Sequence, residues 1–168
     1  MWTDLRQNIE VIRLDKNIPE EKFKPVDTLS WQEIQQKIIS TFCHIDSHKD
    51  NPNWLWENFK LDTYSVRLER NFPFDSFLQF TDNSETVWLL INDTHNERTK
   101  FWLYEGQIKP VVFVLNQSVA SEVYIVSKKY DWLLCINHHD FLIATGLYMP
   151  GKLKQLEKQT ILPLSKDR

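Results

Sequence analysis

Residues Glu122 to Gly146 read EVYIVSKKYDWLLCINHHDFLIATG, and the punctuation of their apolar runs decides the fold. Val123 to Val126, Trp132 to Ile136 and Phe141 to Ala144 are separated by the polar breaks Ser127 to Asp131 and Asn137 to Asp140. The runs are rich in β-branched and aromatic residues, and the breaks are too brief for a crossover helix, so consecutive runs pair antiparallel. An up-and-down meander follows.

Upstream, Thr86 to Asn92 (TVWLLIN) is a nearly continuous apolar run, which suits a strand covered on both faces. After a polar loop, Lys100 to Tyr104 (KFWLY) is its expected antiparallel partner, with Gly106 closing the hairpin. Between this pair and the meander, residues 109 to 119 can be a helix with Pro110 in its first position or a β-branched strand. The helix is favoured because it lets the sheet resume at Glu122.

The N-terminal region is helical in pattern. Leu5, Ile9 and Ile12 recur at helical spacing behind Thr3, which predicts a helix over 3–14, and Pro19 and Pro25 then argue for an irregular connection over 15–29. Ser30 and Glu33 form a capping box ahead of the stripe Trp31, Ile34, Ile38, Ile39 and Phe42, with an exit loop before Pro52. A helical turn bearing Trp54 and Trp56, a strand over 64–68 and a short helical segment over 74–80 come next. The tail from Met149, which holds Pro150, Gly151 and several lysines, is expected to wrap the surface or stay mobile.

The chain therefore reads as α+β: an antiparallel β-sheet meander with N-terminal amphipathic helices packed on one face. A single domain over 1–168 is expected, helical over residues 1–60, mainly β over residues 61–148 and ending in a basic tail over residues 149–168. A chain of 168 residues buries roughly 70% of its unfolded surface, enough for one core without metal or disulfide. Cys43 and Cys135 sit inside apolar segments as small hydrophobes. A net charge of -3 disfavours a nucleic acid partner, and no apolar run approaches the ~18 residues of a membrane span. The start lacks the pattern of a signal peptide, so a cytoplasmic protein without a membrane association is expected.

His138, His139 and Asp140 are three adjacent candidates for ligation or proton transfer. Neighbouring side chains on an extended backbone point apart, so both imidazoles reach one metal only if the turn rotates one of them. The bland reading is a polar turn in which Asp140 accepts backbone hydrogen bonds and one imidazole packs on a neighbouring aromatic. Cys135 and His139 share a strand face but stand ~13 Å apart, which rejects that thiolate–imidazole pair unless another histidine approaches from elsewhere. His44 and His48 have one-face helical spacing, yet Pro52 is close and the Glu of an H-E-x-x-H motif is missing. Asp93, Glu97 and Lys100 lack the spacing of two that would align a nuclease set on a strand, and read as solvated charge. With three glycines and no G-x-S-x-G or C-x-x-C pattern, glycine-loop nucleotide enzymes, serine hydrolases and zinc ribbons fall away. No cofactor and no metal site are expected.

Aromatic side chains are the other source of function. Seven Trp are many for this length, and Trp54, Trp56, Trp102 and Trp132 are expected to include the anchors of an exposed protein-binding patch. The run YIVSKKYDWLLCINHHDFLIATG, with VWLLIN and KFWLYEGQI before it, resembles a small bacterial family of uncharacterised proteins with a W-L-L-C-x-N-H-H-D signature. The layout of N-terminal helices followed by an aromatic-rich antiparallel sheet is similar to that of bacterial toxin-immunity proteins. The expectation is a non-catalytic cytoplasmic module that binds another protein, with toxin neutralisation as its specific form. The alternative is a small metal-dependent hydrolase or nuclease built on His138, His139 and Asp140.

Overall fold

Every residue of Glu122–Ser127 and of Trp132–Ile136 is buried, so neither face of the central sheet meets water and both require a cover. The computed structural model describes residues 4–44, 54–68, 74–93 and 97–159, with backbone alone at 93 and 97–100. The elements run α1 (Asp4–Asp15), β1 (Phe23–Pro25), α2 (Thr28–Phe42), β2 (Thr63–Arg67), β3 (Thr86–Asp93) and β4 (Glu97–Gln107). Then come α3 (Ile108–Gln117), β5 (Glu122–Ser127), β6 (Trp132–Ile136), β7 (Phe141–Gly146) and α4 (Met149–Lys158). Short 3₁₀ turns occupy Leu55–Asn58 and Phe74–Gln79.

The strands form one seven-stranded antiparallel sheet in the order β1-β4-β3-β5-β6-β7-β2. The protein is thus α+β with an antiparallel sheet. The meander expectation holds for β5, β6 and β7, and the two sheet edges are filled by β1 and β2, which come from the first half of the chain.

The pleat sends alternate side chains to two cores. One gathers Val87, Leu89, Val123, Ile125 and Trp132 against α1, α3 and α4; the other gathers Leu90, Tyr124, Val126, Leu133 and Cys135 against α2 and Leu55. The two N-terminal helices therefore lie on opposite faces, which corrects the expectation of one. Strands apolar on both sides leave no wet face for a one-sided stack.

Four other expectations are corrected. Residues 15–29 include β1, where Pro25 is tolerated because an edge strand can spare a donor. Helix α2 starts at Thr28, capped by Asp27, whose carboxylate accepts from the N–H groups of Leu29 and Ser30 at 2.9 Å each. Gly106 lies within β4 instead of closing a hairpin, and a Cβ there would stand 2.8 Å from Phe23 and 2.9 Å from Val111. The basic tail carries α4, which buries Met149 and Leu153 and is tied to β2 by the hydrogen bond from Tyr64 to Glu157. Residues 109–119 resolve in favour of the helix, although it starts at Ile108, which makes Pro110 its third residue and not its first, and Val119 falls beyond its end and is 72% exposed.

Candidate functional site

The β3–β5 and β5–β6 registers place Glu122 at the start of β5, beside Asn92 and next to the Asn137–Asp140 turn. Alternation puts its side chain on the α2 face with that of Tyr124, and it is fully buried. A buried carboxylate is tolerated when donors surround it. Here Oε1 accepts from the Tyr124 hydroxyl at 2.5 Å, and Oε2 meets His138 Nδ1 at 2.8 Å and its backbone N–H at 3.3 Å.

Tyr124 links this pair to the loop beside it. Its oxygen accepts from the Leu55 N–H at 3.0 Å, so the segment bearing Trp54 and Trp56 is fastened to the group that holds His138. Burial, helped by the neighbouring Cys135 and Glu122, pushes the Tyr124 hydroxyl well above its ordinary range and keeps it a neutral donor. Cys43 Sγ lies 3.6 Å from the Leu55 carbonyl. Burial pushes its thiol up to about 12 against the pull of Lys60, and pushes Cys135 well above normal. Both are core sulfurs and not nucleophiles.

Above the carboxylate the rings gather. Trp54 and Trp56 stack at 6.5 Å, His138 lies 5.0 Å from Trp54 and 6.3 Å from Trp56, and His139 presents an edge to Trp56 at 6.0 Å. The two imidazole centroids are 4.0 Å apart, so the turn rotates one of them to bring both to one side. Asn137 is the cause: its Oδ1 accepts from the N–H groups of His139 and Phe141, at 3.1 and 3.0 Å, and Asp140 takes up a left-handed φ of 63°. Asn137 thus caps the backbone of the turn, while the Asp140 carbonyl accepts from the Leu68 N–H at 2.8 Å.

Of the residues singled out from sequence, Trp54, Trp56, His138 and His139 come together. Trp102 and Trp132 do not join them, and the expectation of exposure is corrected: Trp54 and Trp56 are half-buried, with Trp56 packed on the core facing α2, and the other two are buried. Trp102 is 8% exposed, stacked at 6.3 Å on Trp31 with the Arg6 guanidinium 4.6 Å over its ring, and Trp132 is 1% exposed in the core facing α3 and α4. In a strand apolar on both sides, a Trp is core whichever way it points. His44 lies past the end of α2, His48 is outside the described residues, and so are the side chains of Asp93, Glu97 and Lys100. Sequence reasoning missed Glu122 and Tyr124. The one local cue is an acidic residue opening an otherwise apolar strand, and it does not say what that residue meets.

Among the described residues, no group of three His, Cys, Asp or Glu side chains is arranged to hold a metal ion. No helix among them is long and apolar enough to cross a membrane.

Fold and site together define an α+β protein whose antiparallel sheet carries a buried carboxylate holding the His138 imidazole within a cluster of Trp and His rings. The chain belongs to the family of unknown function DUF6756, which it matches over residues 1–157. No curated protein and no solved structure matches it.

Proposed function

We propose that the protein is a non-catalytic cytoplasmic protein-binding module whose contact surface is the Trp54, Trp56, His138 and His139 cluster, and that it serves as an immunity protein occluding a bacterial toxin. The observation that carries this reading is the gathering of four rings, 4.0 to 6.5 Å apart, on a support fixed by Glu122 and Tyr124. Trp is among the residues most enriched as interface anchors, and an anchor held in place before binding loses little entropy on docking. The acidic balance of the chain, -3, favours a basic partner such as an enzyme that acts on nucleic acid.

The test is affinity capture from the native host, read against the products of neighbouring reading frames. A partner held by the wild type and by Leu29→Ala, but lost from the double variant Trp54→Ala and Trp56→Ala with its native circular dichroism intact, is the expected result. Capture indifferent to both tryptophans, or a monomer that retains no protein, would overturn the proposal.

One observation favours a second reading, a hydrolase or nuclease using the His138, His139 and Asp140 turn with a metal. Glu122 engages Nδ1 of His138, which directs Nε2 outward in the manner of an oriented ligand or general base. Elemental analysis separates the two: stoichiometric metal retained by the wild type and lost from His138→Ala would replace the first reading with the second.

A further inference from the structure

A cavity of about 660 Å³ opens where the end of α1, the turn before β1, the turn before β3 and the head of α3 meet. Backbone hydrogen bonds hold its walls together. Gln107 N–H donates to the Lys22 carbonyl at 2.9 Å, Ile108 N–H to Glu85 at 2.9 Å and Lys109 N–H to Asn83 at 3.3 Å. The end of α1 is closed by Ile18 N–H donating to Arg13 at 2.9 Å, with Asn17 in the left-handed region at φ 50°. The opening is built into the fold and does not require a ligand to create it.

Its charge runs against that of the molecule. Lys16, Lys22 and Lys109 line it, and no lining residue is acidic, whereas the chain as a whole carries -3. Lys16 leans on Asp15 at 2.8 Å. Lys22 and Lys109 have no ion-pair partner among the described residues. The N–H groups of Ile108 and Lys109 are already bonded, and Ser84 gives both its N–H and its hydroxyl to Asp82, so recognition falls to these ammonium groups and to the side chains of Asn17 and Asn83. The rest of the wall is largely apolar: Ile18, Pro19, Pro110 and Phe113, the last with 42% of its surface in water.

We infer that this cavity binds a small organic phosphate bearing at least two negative charges and a planar ring, the class to which nucleoside diphosphates belong. A single carboxylate would leave one of the two unpaired lysines uncompensated, while a compact polyphosphate can engage both, with Lys16 beside them, as point charges. The volume lies within the range of small-molecule sites, and the ring has Phe113 and two prolines to lie against. Such a site needs no glycine loop, because side chains do what backbone N–H groups do there. It is independent of the ring cluster and of the function proposed for it.

Titration of the isotope-labelled full chain with ADP, followed by amide chemical shifts, tests the inference, with pyrophosphate and adenosine as the two halves of the probe. ADP is expected to shift amides of residues 16–22, 83–84 and 107–109, more weakly as salt rises, with pyrophosphate reaching the same amides. The double variant Lys22→Ala and Lys109→Ala should lose affinity by at least about tenfold, and Phe113→Ala should weaken ADP but not pyrophosphate. These positions are on the surface, and thermal melts of the variants confirm that they fold. No shift at these amides with millimolar ADP, adenosine binding as tightly as ADP, wild-type affinity in the double lysine variant, or equal effects of Phe113→Ala on both phosphates would each overturn it.

Discussion

Glu122 and Tyr124 show what a single buried side chain can organise. The Tyr124 hydroxyl both accepts from Leu55 and donates to Glu122, so Tyr124→Phe leaves a buried N–H and a carboxylate oxygen each short of a partner. Urea unfolding is expected to show a loss of roughly 1–3 kcal/mol, with near-wild-type stability if the network is only decorative. At the same scale, the two thiols are sealed and un-ionised. Ellman's reagent at pH 8 should find neither Cys43 nor Cys135 in the native protein and both in urea; fast reaction of either in the native state would contradict the burial described. The cysteines were legible from their apolar neighbours in the sequence. Glu122 was not, because its burial depends on two strand registers and on His138 returning from the far side of a turn, and no local pattern encodes that meeting.

At the scale of elements, hydrophobic periodicity located α1, α2, β3 and the three strands of the meander, and Pro110 favoured α3. It failed where an element owes its existence to its neighbours. The three residues of β1 carry no period of their own and are strands because β4 offers an open edge. Helix α4 has a real stripe, Met149, Leu153 and Leu156, hidden by Pro150 and Gly151 at its start, where proline is well tolerated. The glycines separate the cases. Gly146 has φ 103°, and an added Cβ would collide with the Asp131 carbonyl oxygen, so Gly146→Ala should destabilise by about 3 kcal/mol or more. Nothing lies within 4 Å of a Cβ at Gly151, so Gly151→Ala should stabilise by roughly 0.5–1 kcal/mol. Denaturant midpoints that move in the same direction for both would refute the assignment of either backbone.

For the molecule as a whole, burial of acidic protons makes stability fall in base. Burial holds the protons of Cys43, Cys135, Tyr104 and Tyr124 more tightly in the folded chain than in the unfolded one. Below pH 9 both states keep the thiol protons and the stability is intact. Above it the unfolded chain ionises first, and each thiol withdraws roughly 1.4 kcal/mol per pH unit until its folded pKa, about 12 for Cys43, is reached. Urea midpoints should be flat from pH 7 to about 9 and drop steeply beyond it; a flat profile to pH 11 would show that the core admits water around these groups. That the sheet needs two covers was implied by the unbroken apolar strands of the sequence. Which helix goes to which face was not, since the choice is made by chain connectivity through strands far apart in sequence.

The way the sheet is finished has a consequence for synthesis. The outermost strand β2 is completed by β7, with Ser65 meeting Ile143, and β1 waits in the same way for the far end of β4, with Phe23 meeting Gly106. A ribosome must therefore deliver most of the polypeptide before the second of these borders can close. Until Gly146 has cleared the exit tunnel, the nascent chain presents unpaired apolar strands to its surroundings, and holding factors have that interval in which to act.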